Sequence, residues 1–575
     1  MEKEEISLKV EENKNLEQES LDLNKLEEPF QEIQSKSDIS LAVESEEEVF
    51  KESLKPKKQD FKRSWKDKIK QKTTSFLKNP WNLGFLVVLF LGIAIRLKYF
   101  NMESIWNDAA VHLWYAIKVT KEPLFMFSRD YLLGDHVVPQ TITAFYYLFT
   151  KNAFIAGKLM ALTYSVIGII FMYLLGTEMK NKFFGLIATI LFTFNHLFWF
   201  YGVRPLADAP LTVMVVLLLY SVVKLEKTKT LFWGITSAVV FILAMATKQQ
   251  AIIFFFAYFL YLVIFKHKDM FQKANLISYG FPLFLIFLGS LIFKYNYLAS
   301  FVTRILRLVG TEDGFLFVYS HLQWIFGSYL LVLVSIGLIL VFFLQSKNFY
   351  LPSMFFVVYA IYLELGINNV EDRIVLPLLS VGILLVVYVL SELGSFTSIV
   401  FKNKKFVFPI VLILAFIFAW QSFNLGDPLI AGKENGYAGH LEAGEWIKDN
   451  VPQEAVVFAG SPRMVRAFTE REFGGPDYLK RYGGNLWWLR HEKYLDNKSA
   501  FEQDLKMLAR NHEIYLEIDV WEYTQPKWYF PIQQDSINQF IGLEFQLVKM
   551  IEREVSTNQG QQKIPVIFLF KYKPN

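Results

Sequence analysis

The sequence predicts an all-α polytopic membrane domain of about eleven transmembrane helices, followed by a soluble α/β domain on the outer side. Three observations predict it. Apolar residues make up 53% of the 575-residue chain and aromatic residues 17%, against only 20% charged, a balance foreign to soluble domains. Apolar runs of roughly 20 residues, the length a spanning helix needs, recur between residues 82 and 423. Beyond about residue 425 the long runs stop, and amphipathic helices alternate with short apolar strands between turn residues.

Residues 1–80 read as a cytoplasmic tail. Positions 1–60 are acidic and almost free of aromatics, so they cannot bury enough surface to fold and are expected to be disordered. A basic juxtamembrane stretch follows, from Lys55 through Arg63 to Lys78. Residues 81–425 form the membrane domain, with spans centred near 82–100, 153–175, 183–201, 209–225, 231–247, 249–265, 276–294, 327–344, 349–366, 374–393 and 405–423. The run 138–150 is too short to cross and is expected to lie in the interface. With the N-terminus inside, every inner connector carries lysine: Lys180 and Lys182, Lys224 to Lys229, Lys266 to Lys273, Lys347, and Lys402 to Lys405. That is the positive-inside rule, and it places the chain in the plasma membrane with its last 150 residues, 426–575, outside the cell. Arg96 and Lys98 stand against the rule at the outer end of the first span. In the outer domain, helices are expected over Leu441–Asn450 and Phe501–Arg510, and strands over Ala455–Ala459, Glu513–Ile518 and Val566–Lys571.

Composition also excludes. A net charge of +4 without a basic stripe gives no footprint for nucleic acid. The absence of cysteine removes disulfides, thiolate nucleophiles and cysteine-ligated zinc. The polar residues collect on the outer connectors: Asp108, His112, Asp130, Asp135 and His136; Arg204 and Asp208; Lys248, Gln249 and Gln250; Arg304, Arg307, Glu312, Asp313 and His321; Glu371, Asp372 and Arg373. Charges at membrane depth are costly and mark functional sites by default. Both signs gathered at one boundary suit an amphiphile with an anionic head.

These residues resemble the GT-C glycosyltransferases, above all the protein O-mannosyltransferases and the aminoarabinose transferases, over about residues 82–425. The resemblance rests on the order of parts: a first helix ending at Arg96, and an outer loop with Trp106-Asn107-Asp108-Ala109-Ala110-Val111-His112. Then come Val138-Pro139-Gln140, Arg204-Pro205-Leu206-Ala207-Asp208, Thr247-Lys248, and Asp372-Arg373-Ile374-Val375-Leu376-Pro377. Two departures stand out. The family's first loop usually has Asp-Glu, whereas Asp108 is followed by Ala109. Trp487-Trp488 is followed by Leu489-Arg490, which does not support sequon recognition of the oligosaccharyltransferase kind.

The resemblance implies a membrane glycosyltransferase that takes a sugar from a dolichyl- or undecaprenyl-phosphate carrier and passes it to an external hydroxyl-bearing acceptor. It makes Asp108 the general base or the acceptor's ligand, with Asp208 in support. A carboxylate there is expected to be partly desolvated, which raises its pKa and strengthens it as a base. Lys248 and Arg373, with Arg204 and Arg96 behind them, are expected to hold the carrier phosphate, since fixed cations in a dry site stabilise a departing anion. The plain alternatives are helix capping for the acids and snorkelling for the cations. No soluble cofactor is implied, and a divalent metal held by Asp108, His112 and Asp208 is left open. A lipid or glycan transporter and a non-catalytic envelope scaffold are the rival classes. His136, His321 and the Trp487-Trp488 pair are read as structural.

Orientation is directly testable. A topology reporter fused after Gly426 should be external, and one inserted at Thr228 internal; both on one side would dissolve the outer site.

Overall fold

A computed structural model describes residues 70–71, 73–102, 105–132, 136–293, 317–366, 372–400, 402, 407–433, 436–469, 471–474, 484–489, 498–520, 544–557 and 560–574. The chain divides into two compact units, Met1–Phe76 and Leu77–Asn575. Of the tail expected over residues 1–80, residues 1–69 and 72 lie outside the described residues, as do Asp135, Arg304, Arg307, Glu312, Asp313 and Glu371. The helical bundle and the sheet both belong to the second unit.

The bundle's helices run in order α1 (Pro80–Lys98), α2 (Asn107–Lys121), α3 (Val137–Thr150), α4 (Ala153–Met179), α5 (Lys182–Thr193), α6 (His196–Gly202), α7 (Asp208–Thr228), α8 (Leu231–Thr247) and α9 (Ile252–Phe265). They continue with α10 (Lys273–Phe293), α11 (Phe317–Phe343), α12 (Tyr350–Gly366), α13 (Pro377–Val400) and α14 (Val407–Ala431). Among the described residues, eight helices are long and apolar enough to cross a membrane. A ninth span arises if α5 and α6, bent by 65°, count as one. The two shorter apolar segments, Leu231–Thr247 and Gln249–Phe265, match the remaining expected spans. The figure of eleven therefore holds only if both cross. The segment expected in the interface forms α3, whose 14 residues rise about 21 Å, short of the hydrocarbon core.

Asparagines set several helix starts. The Asn152 side chain accepts from Ile155 N–H, Asn181 from Phe184 N–H, and Asn195 from the N–H groups of Leu197 and Phe198. In hydrocarbon such donors have no water to turn to. Packing ranks the helices: α7 and α13 are central, with 83% and 78% of their apolar windows buried, whereas α14 and α10 are at 17% and 22% and face outward.

The ends of the bundle differ in chemistry. At one end Lys180 pairs with Glu392, Lys224 with Glu178 and Lys229 with Asp269. These are the lysines of the connectors expected to be inner. Chain continuity along α7 carries Asp208 to the opposite end. Lys98, against the rule in the sequence, has a local reason to stand where it does: its Nζ lies 2.7 Å from Asp427 Oδ1, which also accepts from Tyr99 Oη at 2.7 Å.

The C-terminal part is a five-stranded mixed sheet of order β2-β1-β3-β5-β4. The strands are β1 (Val456–Ala459), β2 (Leu486–Trp488), β3 (Ile514–Asp519), β4 (Phe545–Thr557) and β5 (Gly560–Tyr572). β1 runs parallel to β2 and β3; β5 is antiparallel to β3 and β4. Three helices accompany it: α15 (His440–Asn450), α16 (Pro462–Thr469) and α17 (Lys498–Leu508). The side chains of β3 alternate, as a strand's must. Ile514, Leu516 and Ile518 join the core that holds Phe501 and Leu505 of α17. Tyr515 joins the core under Ala443 and Ile447 of α15. Every helix and strand expected here is present; β2, α16 and β4 were not anticipated, and Trp487 and Trp488 lie in β2.

Candidate active site

α2 begins immediately after Trp106 and puts Asp108 in its first turn. Asp208 occupies the first turn of α7, where the helix dipole favours a carboxylate. Lys248 follows α8 in extended conformation and leads into a single 3₁₀ turn, Gln249–Ala251, before α9. This tight reversal holds Lys248 between two apolar helices. Arg373 lies in the short helix Asp372–Val375 ahead of α13.

Asp108, His112, Asp208, Lys248 and Arg373, all expected from the sequence, line one cavity of about 440 Å³, together with Tyr115, His136, Gln140, Gln250 and Arg463. Its carboxylates are gripped by cations. Asp208, only 4% exposed at its side chain, forms an ion pair with Lys248. Arg373 Nη1 donates to Asp108 Oδ2 at 2.7 Å, and Arg463 Nη1 donates to Oδ1 at 2.9 Å. Arg373 also stands 5.9 Å from the centre of the Trp106 ring.

Arg96 and Arg204 do not line this cavity, and their expected share in phosphate binding has no support from their placement. Both are almost wholly buried. Arg96 donates to the Gly92 carbonyl at 2.9 Å and lies over Phe198. Arg204 donates to the Phe200 carbonyl at 2.8 Å and stacks 3.6 Å from the centre of the Phe200 ring. They brace the packing behind the site.

The expected rise in the Asp108 pKa is corrected as well. Burial pushes this carboxyl upward, but the Arg373 and Arg463 guanidiniums more than offset it and leave it below the usual carboxylate range. His112 moves further. Burial, with the neighbouring His136, drives its pKa well below the ordinary value, so the ring is neutral at pH 7. Gln140 Nε2 lies 3.3 Å from His112 Nδ1, within hydrogen-bond reach. The Asp108, His112 and Asp208 set does not bring three ligating atoms together, and both of its carboxylates already face cations; among the described residues His440, Glu517 and Asp519 do so instead.

Arg463 is the residue the sequence reading missed. It is the second residue of α16, directly after the carboxyl end of parallel strand β1, where open α/β sheets present functional side chains. That position is the signal that could have found it. α16 lies on α2 through further contacts: Arg466 stacks 3.2 Å from the centre of a Trp114 ring and pairs with Glu472, which also holds Lys118 at 3.1 Å. His321, read as structural, pairs with Asp372 at 2.7 Å, next to Arg373.

The family described as dolichyl-phosphate-mannose-protein mannosyltransferase matches residues 136–293, well under half of the chain. Comparison with curated protein sequences gives no match. Among solved structures, ArnT from Cupriavidus metallidurans bound to undecaprenyl phosphate superposes with a TM-score of 0.56 at 9% identity, covering 85% of this chain and 99% of that one. The archaeal oligosaccharyltransferase AglB from Archaeoglobus fulgidus, in complex with an inhibitory peptide and a dolichol-phosphate, gives 0.51 at 13% identity, covering 84% and 74%. The apo form of the Archaeoglobus fulgidus oligosaccharyltransferase gives 0.52 at 12% identity, covering 78% and 70%. The GT-C-like fold expected from the order of motifs is therefore present, with its small C-terminal sheet.

The Asp208–Lys248 pair is buried enough to test by stability. Asp208→Asn should cost about 3–5 kcal/mol, because it strands a desolvated ammonium. Adding Lys248→Met should recover most of that loss in detergent unfolding measurements. Additive losses in the double variant would show that the two groups do not depend on each other.

Proposed function

We propose that this chain is an integral-membrane glycosyltransferase that moves a sugar from a polyprenyl-phosphate carrier to a hydroxyl-bearing acceptor at the outer membrane face. What carries the reading is one juxtaposition. The polar cavity of Asp108, Asp208, Lys248 and Arg373 adjoins a second, apolar cavity of about 210 Å³ lined by Val137, Ile242, Met245, Ile252, Pro282 and Ile286. The turn between α8 and α9 serves both: Lys248 and Gln250 line the polar space, and Gln249 the apolar one. A phosphate with an isoprenoid tail has this division of chemistry. The mannosyltransferase family match over residues 136–293 and the phosphorylated lipids bound to structurally similar proteins support the same class of donor.

The chemistry is a single displacement. The acceptor oxygen bonds to the anomeric carbon while the bond from that carbon to the phosphate oxygen breaks, which inverts the centre. The acceptor's proton passes to Asp108, and polyprenyl phosphate leaves carrying the bonding electrons. Lys248 and Arg373 take up the negative charge that develops on the phosphate, in surroundings where such contacts outweigh their value in water. Asp208 holds Lys248 in place for that task. Neutral His112 and Gln140 supply hydrogen bonds without adding charge.

Purified protein incubated with a panel of polyprenyl-phosphate sugars should release polyprenyl phosphate, read by mass spectrometry. Asp108→Asn should lower that release by about two to four orders of magnitude while folding persists. Near-wild-type turnover would reduce Asp108 to an anchor for two arginines.

Binding separates phosphate recognition from snorkelling. Lys248→Gln and Arg373→Gln should each weaken affinity for polyprenyl phosphate in nanodiscs by about 1.5–3 kcal/mol, the worth of a charge-assisted contact. Arg373→Lys should also weaken it, because a point charge replaces a planar fork. Unchanged affinity in both glutamine variants would remove these residues from the carrier site.

A further inference from the structure

α2 ends at Lys121, and the chain enters a 3₁₀ turn, Pro123–Phe127, that begins with proline and has no buried residue. The residues after the proline divide by direction. Phe125 and Met126 pack on a small core of Ala116, Val119, Tyr131 and Ala144, which joins α2 to α3. Leu124 and Phe127 are left outside it, 83% and 71% exposed. Leu124 is the most exposed large apolar side chain among the described residues. We propose that Leu124 and Phe127 form an anchor inserted among the lipids of the leaflet at the cavity end of the bundle.

The turn is held in place, so the two side chains are presented outward and do not fold back. Phe125 stacks with Tyr115 at 6.0 Å between ring centres and meets Tyr131 edge-on at 5.8 Å. Lys118 Nζ covers the Phe125 ring at 4.8 Å from its centre. The Phe125 N–H donates to the Glu122 carbonyl at 2.8 Å, and the Ser128 N–H to the Phe125 carbonyl at 2.9 Å. Apolar surface fixed in this way stays in contact with whatever surrounds the turn, and water is the unfavourable neighbour.

Depth follows from the next residues. Ser128 alone separates Phe127 from the short helix Arg129–Leu132. The chain between Phe127 and Leu132 therefore spans at most about 12 Å. Leu132 lines the apolar cavity with Ile242 and Met245 of α8 and with Pro282, Ile286 and Gly289 of α10. Those α10 positions lie within its apolar span, short of its last residue, Phe293. Leu132 is thus at hydrocarbon depth, and the turn stands beside it. The core shared through Ala144 agrees: α3 buries Gln140, Thr143 and Ala144 and leaves Phe145, Leu148 and Phe149 exposed. A protein partner fits less well, because two side chains on one short turn fall far below the roughly 800 Å² per side of a stable interface. Lys121 and Glu122, exposed just before the turn, suit the headgroup layer above an apolar wedge. The anchor stands independently of the transferase reading.

The chain contains no cysteine, so one introduced cysteine carries a unique label. Full-length protein with Leu124→Cys or Phe127→Cys, each bearing a nitroxide, is reconstituted in nanodiscs of phosphatidylcholine and phosphatidylglycerol. Electron paramagnetic resonance then compares collisions with oxygen and with a water-soluble nickel chelate. Both labels should meet oxygen severalfold more, as should one at Phe90→Cys, exposed on α1. Met507→Cys, exposed on α17, should show the reverse. Leu124 and Phe127 are exposed, so replacing them removes no core packing. A reading like that of Met507→Cys at either position overturns the anchor. Low collision with both reagents, the sign of a protein contact, overturns it too.

Discussion

Five segments far apart in sequence meet at one end of the helical bundle, and charge pairing where water is scarce holds them together. Asp108, Asp208, Lys248, Arg373 and Arg463 come from α2, α7, the turn after α8, the helix before α13, and α16 beside the C-terminal sheet. Of these charges, Asp208, Lys248 and Arg373 are largely buried and would be costly unpaired. Lys248 answers Asp208, and two arginines answer Asp108. The same pairs that lower the cost of burying each charge therefore also set where five separate elements end. Moving α7 or the turn after α8 leaves a buried charge uncompensated on the other.

The C-terminal sheet and its helices are part of this arrangement, because α16 reaches the same cavity. Its Arg463 completes the Asp108 clamp, and its Arg466 lies flat on Trp114 of α2. A guanidinium over indole gains cation–π attraction, and Glu472 pairs with its charge. α2 is thus fixed from both sides, by α16 above and by the packed bundle beneath. This explains why a small sheet with modest cores follows a large membrane domain: the sheet positions one helix, and that helix closes one side of the cavity.

Much of this was legible in the sequence because membranes force simple patterns. Apolar length located the helices, and lysine spacing sorted the connectors into two sets that gather at opposite ends of the structure. Asp108, Asp208, Lys248 and Arg373 stood out because a charged residue at a helix end inside an apolar pattern has few uses. Arg96 and Arg204 satisfied the same description and lie elsewhere. Their backbone-carbonyl partners and aromatic neighbours, Gly92, Phe198 and Phe200, look apolar in sequence and give no sign of satisfying a guanidinium. Arg463 was only partly legible, from its place after β1, for another reason. It sits over 350 residues from Asp108, and only the tertiary docking of α16 on α2 joins them.

The low basicity of Asp108 bears on how such a site would work. A carboxylate held below the usual range by two guanidiniums contributes its ion-pair stability at neutral pH and keeps it until acid titrates it below that range. As a base it is weak in this state, which disfavours proton abstraction from an acceptor before a donor is present. On the transferase reading, an arriving phosphate competes with Asp108 for Arg373, the cation the two share. Each hydrogen bond that Arg373 transfers to phosphate removes one that depressed the Asp108 pKa, while burial, which raises it, stays. Donor binding then strengthens the base, and Arg463 keeps the carboxylate in position during the exchange. The charge pairing that assembles the site and the coupling of donor to base are thus one interaction seen at two stages.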